Sequence, residues 1–275
     1  MKKVKTIIAL TLAAALALLF AACGGKVPEE ASTADAEEST GTEAEAAAPE
    51  EPGLPPETVT LGLSPVTDAD EALEYKKVIV DGETDGVKDT EVTKTGMFCA
   101  VQDRFNDVTR YYVWGYGDEA RSVDWQWEFV PADAGALPAQ GSVITVKGVL
   151  KESEAALDRL RLENAEVSVD TDYTPDTVYD VDCRFMGSTL ERVQVQNVSL
   201  FPADFAGKTM AVYGRASGTA AVRQPYDGAE GQIVDWSLEF SSAYENPEAD
   251  TMIVVTGSLT GDNAVMSGAV INILK

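Results

Sequence analysis

The stretch Val123-Asp124-Trp125-Gln126-Trp127-Glu128-Phe129 decides the reading of this chain. Apolar and polar residues alternate through all seven positions, the period of a β-strand with one buried face. Val123, Trp125, Trp127 and Phe129 point one way, and Asp124, Gln126 and Glu128 point the other, toward what reads as a solvated face. The pattern returns 111 residues later as Val234-Asp235-Trp236-Ser237-Leu238-Glu239-Phe240, with Leu238 in the place of Trp127. Leucine fills a core but cannot stack on a sugar ring. The tryptophans therefore read as packing residues, not as a platform for carbohydrate.

Working outward, further blocks match in the same order. Val143-Ile144-Thr145-Val146-Lys147-Gly148-Val149-Leu150 corresponds to Met252-Ile253-Val254-Val255-Thr256-Gly257-Ser258-Leu259, and Ala165 to Val169 corresponds to Ala269 to Ile273. Upstream, Gly96 corresponds to Gly214. Kept order with slowly drifting offsets is the mark of a duplication whose insertions fall in loops. Gly148 and Gly257 share the inward face of their strands, which predicts a bend or a close backbone approach there. The joins differ: Lys151 to Arg159 can form a helical turn, whereas Thr260-Gly261-Asp262-Asn263 is a tight hairpin turn. The other clear helix candidate is Asp68 to Lys77. The expected fold is mostly β, with two tandem OB-like small β-barrels, one over residues 58–169 and one over 178–275, joined by a linker at 170–177.

Each unit has a glycine-ended early strand, an aromatic strand, an Ile-x-Val-x-Gly type of strand and a closing strand, and so resembles an OB-fold barrel. Asp204-Phe205-Ala206-Gly207-Lys208-Thr209-Met210-Ala211-Val212-Tyr213-Gly214, with the strands around Phe240 and Val255, resembles a poorly characterised group of bacterial lipoproteins and membrane-associated proteins with OB-like modules. Members of that group often carry a cysteine pair near the Asp-Trp positions. Those cysteines are absent beside Asp124-Trp125 and Asp235-Trp236, so no thiol or metal role transfers. The likeness bears on fold more than on function.

The first 22 residues read as a lipoprotein signal peptide. Lys2, Lys3 and Lys5 precede an uncharged run from Thr6 to Ala22, about 26 Å as a helix and short for a stable membrane span. The run ends in Leu19-Phe20-Ala21-Ala22-Cys23-Gly24, which resembles a bacterial lipobox with Phe20 in the usual leucine position. That makes Cys23 the expected lipidation site, the anchor to the extracytoplasmic face of the membrane. Residues 23–57 form the expected disordered tether: 24–57 hold ten acids, one base and no aromatic residue, too little apolar surface to offset the entropy of ordering.

Composition narrows the chemistry. The whole chain carries a net charge of −25 and no histidine; without the three signal lysines, 18 bases face 46 acids, a net charge of −28. Such a surface repels nucleic acid and anionic headgroups. Absence of histidine excludes Ser-His-Asp and Cys-His catalysis and histidine metal sites. Cys99 and Cys183 lie in apolar strand-like contexts in different halves and read as buried free thiols. No catalytic residue, enzymatic activity or cofactor is expected.

Two weaker sites stand out. Asp81, Glu83, Asp85 and Asp89 occupy ligand-like spacings of a calcium loop with Gly86 at the sixth position, yet Val92 replaces the closing glutamate, so an acidic turn is the better reading. Trp114, Tyr116 and Tyr226 are the candidate ligand-binding aromatics, with Trp114 and Tyr116 read as sharing a face opposite Tyr112. The sequence thus points to a non-enzymatic, membrane-anchored binding or scaffolding module, with an envelope protein or glycan as its expected partner. The alternative is a carbohydrate- or cation-binding accessory lipoprotein of a transport or cell-wall system.

Overall fold

Period-two alternation does build strands here, and glycines decide how they curve. The computed structural model describes residues 57–61, 66–119, 123–154, 156, 158–223, 236–244 and 247–274. Cys23, the signal segment, nearly all of the tether, Tyr226, Val234 and Asp235 lie outside the described residues.

The described residues begin with a short strand β1 (Glu57–Val59), followed by helix α1 (Ala69–Tyr75), which continues into a π-helical turn over Lys76–Val80. Asp68 caps α1 by accepting the Glu71 N–H at 3.0 Å, and the sequence-predicted helix over Asp68–Lys77 is found in place. Five strands follow: β2 (Glu91–Asp103), β3 (Val108–Tyr116), β4 (Asp124–Pro131), β5 (Val143–Glu152) and β6 (Leu160–Thr171). They close into a barrel in the order β2-β3-β4-β6-β5, with β4 and β6 parallel and the other pairs antiparallel. This is a small OB-like barrel. Its interior holds Trp125, Trp127 and Phe129, none more than 1% exposed, together with Phe98, Val113, Ile144, Val146, Leu150 and Leu162. Core packing for the tryptophans is what the strand shows; Val123, expected to join them, is exposed.

Closure depends on β2, which pairs with β5 over Glu91–Met97 and with β3 over Met97–Asp103. Gly96 sits at the changeover. A Cβ there would meet the Trp114 carbonyl oxygen at 2.5 Å and the Trp125 ring at 2.8 Å; one on Gly115 would meet the same ring at 2.6 Å. Two glycines thus clear the space that the Trp125 indole fills.

The second half begins with β7 (Val181–Asp182), helix α2 (Ser188–Leu200) and a short helix α3 (Pro202–Phe205). A second sheet follows with β8 (Thr209–Ala216), β9 (Ala221–Arg223), β10 (Ser237–Phe240), β11 (Met252–Leu259) and β12 (Val265–Leu274). Its pairings run β8–β9, β9–β10, β10–β12, β12–β11 and β11–β8, the same succession as in the first half, with the third and fifth strands again parallel. Gly214 repeats the role of Gly96: it lies where β8 changes partner from β11 to β9, and a Cβ would meet the Arg223 carbonyl oxygen at 2.4 Å.

The bulges repeat as well. Register shifts between Lys147 and Val149, opposite Asn164 (φ 52°), and between Thr256 and Ser258, opposite Gly268 (φ 59°). Gly148 and Gly257 stand at those two shifts, where a Cβ would lie tight against the Glu163 carbonyl oxygen at 3.1 Å and clash with the Met266 side chain at 2.5 Å, respectively. Duplication is therefore visible in pairing order, in strand bend and in bulge position.

Other expectations need correction. β1 pairs in parallel with β12, so a segment that precedes the first barrel in sequence belongs to the second sheet. β6 runs to Thr171, two residues into the expected linker. Among its described residues the 151–159 join shows turns and bends and no helix, and β5 extends to Glu152. Helix α2, unexpected from the sequence, alternates valine with glutamine over Val193-Gln194-Val195-Gln196 like a strand; its buried positions Leu190, Glu191, Gln194, Val195, Asn197 and Val198 follow the helical period and are half polar.

Replacing Trp125 with alanine empties the space cleared by Gly96 and Gly115. By analogy with other buried aromatic truncations the loss is about 3–5 kcal/mol, read from the urea midpoint of unfolding, whereas Val123→Ala on the exposed start of β4 shifts that midpoint little.

Candidate functional site

The outer face of β2, β3 and β4 is where the two halves meet. Met97, Cys99 and Val101 of β2 and Tyr112, Trp114 and Tyr116 of β3 share one apolar core with Val181, Cys183, Phe185, Leu190, Val195 and Val212 of the second half. Tyr112 lies on the same face as Trp114 and Tyr116, as residues two apart in a strand must. Trp114 is 2% exposed and Tyr116 8%. Both rings are covered by protein, and neither presents a surface on which a sugar could stack. Cys99 and Cys183 are both free, both fully buried, and burial pushes both thiols upward in pKa.

Beyond Met97, β2 pairs with no strand among the described residues on the edge that β5 leaves. Side-chain amides cover it instead. Gln140 Oε1 accepts from the Ala100 N–H at 3.2 Å, Gln194 Oε1 accepts from the Gln102 N–H at 2.9 Å, and Asn197 Nδ2 donates to the Gln102 carbonyl at 2.5 Å. Two of the three amides come from α2. They do for this half-edge what a neighbouring strand would do, and they keep its backbone groups satisfied away from water. At the tip of the β2–β3 hairpin, Arg104 reaches Asp204 of α3 at 2.8 Å, and the Phe105 ring meets Phe201 at 5.0 Å.

The face of β4 expected to be solvated is buried too. Gln126 and Glu128 are 5% and 4% exposed. Arg110, equally buried, donates from Nη1 to Glu128 at 2.8 Å and from Nε and Nη2 to Asp103 at 2.8 and 2.6 Å. Asp103 in turn accepts from the Phe105 and Asn106 N–H groups and so fixes the hairpin. Charges buried this way persist only as pairs, because removing one partner strands the other. Asp124 accepts the Thr189 N–H at 3.1 Å and the Thr189 hydroxyl at 3.4 Å. Helix α2 has no side-chain cap of its own, since its cap residue is Gly187. The first half therefore supplies the missing N-cap, and desolvation raises the Asp124 pKa despite these bonds.

Glu191, one turn into α2, is fully buried. Its Oε1 accepts the Tyr213 N–H at 3.2 Å, and its Oε2 has no hydrogen-bond partner. Burial lifts its pKa well above the ordinary 4.5, while the Tyr213 bond pulls in the opposite direction.

The acidic loop does not converge. Asp81 ends the π-helical turn, Asp89 pairs with Lys151 at 2.7 Å, and Glu83 and Asp85 follow separate turn positions. Among the described residues no group of three or more aspartate, glutamate or cysteine side chains is placed to hold a metal ion. Asp81 does line a cavity of about 590 Å³, with Val78, Lys88, Glu152, Asp158 and Arg159. A second, smaller cavity of about 100 Å³ lies near Gln102, Asp182 and Gln194. The larger one is the candidate site for a ligand, and periodicity gave no sign of it, because it forms between a helix end and a loop distant in sequence.

Two variants test the seam. Asp124→Ala removes the cap that α2 borrows and costs about 1–2 kcal/mol of stability, whereas Asp124→Asn costs less. In Glu191→Gln, the folded state no longer holds a proton that the unfolded chain releases near pH 4.5. The wild-type stability contribution is complete below that pH and is lost as pH rises toward the lifted folded pKa. At pH 8 the variant melts above wild type, by about 2–4 °C for each 1 kcal/mol regained; at pH 4 the two melt together.

Neither protein-family models nor curated proteins give a match to this chain.

Proposed function

We propose that the protein is a non-enzymatic binding or scaffolding module held at the extracytoplasmic face of a bacterial membrane by lipid on Cys23, with two OB-like barrels joined back to back. The observation that carries this reading is the burial of the outer face of β2, β3 and β4. OB-type barrels take oligonucleotides and oligosaccharides on the face of their second and third strands. In the first barrel those strands are β3 and β4, and here the face meets α2 and the second sheet. A net charge of −28 without the signal lysines further disfavours nucleic acid.

The signal run, the lipobox-like Leu19 to Gly24 and the acidic tether support membrane anchoring; two or three acyl chains hold a protein stably at a bilayer. A rigid two-barrel body on a polyanionic leash suits contact with an envelope protein partner. The second reading, an accessory lipoprotein of a transport or cell-wall system, draws on the 590 Å³ cavity as the place for a small ligand, not on Trp114, Tyr116 or the acidic loop.

Expression in a bacterial host with labelled palmitate tests the anchor. Label enters the wild-type chain and the protein sediments with membranes, whereas Cys23→Ser takes up no label and is recovered unprocessed. Label retained by Cys23→Ser would remove the anchoring reading. Glycan arrays test the buried face: no array glycan is bound, and any binding lost on Trp114→Phe would mean that the face opens.

A further inference from the structure

We propose that the cavity between the end of the α1–π-helical segment and the β5–β6 loop binds a small organic ammonium compound, an amine carrying a short apolar body. The inference rests on reading the protein as a binding module, but on residues that the anchor and the buried face do not use. A volume of about 590 Å³ suits a small molecule more than a bare ion.

The wall from Val78 to Val80 is the C-terminal turn of a helix. The last carbonyls of a helix have no intrahelical donor, and this end carries the negative pole of the helix dipole. Beyond Val80 the chain returns the Asp81 N–H to the Lys76 carbonyl and the Glu83 N–H to the Lys77 carbonyl. Neither bond reaches the carbonyls of Val78, Ile79 or Val80.

The carboxylates add to that pole. Asp81 sits at the helix end, and Asp158 stands in the wall from the loop side, where the Tyr75 hydroxyl donates to it at 3.4 Å. The cations offset this only in part. Lys88 and Glu152 form an ion pair with each other and cancel, which leaves, among the lining residues, Arg159 against Asp81, Asp158 and the helix end, where Lys77 is the one base of the last turn. An anion entering here would meet one guanidinium and two acidic side chains beside the negative pole of the helix; an ammonium would meet those acidic side chains as acceptors. Val78, Ile79 and Leu160 supply an apolar flank for a short hydrocarbon part. Because no three acidic or thiol side chains converge among the described residues, the donor set favours a hydrogen-bonding amine over a coordinated metal ion.

The test is calorimetric titration of the intact chain with hexylammonium, hexanoate and hexanol at equal ionic strength. Hexylammonium binds about tenfold or more tightly than the other two. Asp158→Asn weakens it by about tenfold, and Asp81→Asn, at the helix end and clear of the barrel core, weakens it about threefold at an unchanged melting temperature. If Asp158→Asn does not fold, Asp81→Asn alone decides the matter. Equal or tighter binding of hexanoate or hexanol, no binding of hexylammonium, or full affinity in both variants would overturn the proposal. Palmitate labelling at Cys23 and the covered state of Trp114 are read independently, so failure here leaves the anchored-scaffold reading standing.

Discussion

Burial of Tyr112, Trp114 and Tyr116 in one core with Phe185, Leu190 and Val195 is the constraint from which the rest of this structure follows. Each aromatic side chain taken from water removes 150–250 Å² of surface, worth about 4–6 kcal/mol apiece as an upper bound. Left uncovered, such a face on a small barrel would be a docking or aggregation surface. The chain covers it with its own second half. Two similar units thereby act as one body, and the first barrel's most ligand-accessible face becomes an internal seam.

The polar groups of the seam follow from that burial. Once α2 lies along β2, the half-edge of β2 that lacks a strand cannot be left to water, and Gln194 and Asn197 take the strand's place. Once Asp124 is covered, its carboxylate persists only because the start of α2 supplies donors, and α2 in turn lacks a cap of its own. For the same reason Arg110 pairs with both Asp103 and Glu128, and Arg161 approaches Glu128 at 3.8 Å. Fully paired networks of this kind specify one docking geometry more than they add stability. The pairing is incomplete at Trp114 Nε1, Gln194 Nε2 and Glu191 Oε2, which are buried without a hydrogen-bond partner, and burial lifts the Glu191 pKa well above the usual range.

Much of the architecture was legible because it is written in local periodicity and in glycines. Trp125, Trp127 and Phe129 alternate with polar residues whatever covers the polar face, so the strand and its core side were readable. Gly96 and Gly214, and Gly148 and Gly257, hold matched positions because a strand that coils around a small barrel has no space for a Cβ there. What covers the other face was not legible. Asp124, Gln126 and Glu128 look the same whether they face water or an arginine and a helix end, since the partners come from elsewhere in the chain. Helix α2 hid for the same reason: its inward face carries Gln194 and Asn197, which bond to β2 across the seam, and Glu191, which bonds to Tyr213 of its own half, and these polar residues erase the apolar stripe by which a helix is recognised. Trp114 and Tyr116 drew attention as aromatics read as lying opposite Tyr112, whereas all three share the face that the second half covers.

Residue-resolved hydrogen exchange under native conditions tests the seam most directly. The account predicts that amides of α2, notably Val195 and Val198, and amides of β3, notably Val113 and Trp114, exchange with the same opening free energy and lose protection together as denaturant rises. If α2 and the second sheet exchange freely while the first barrel keeps its protection, the halves are independent domains and the face of Trp114 is open to solvent and to ligand.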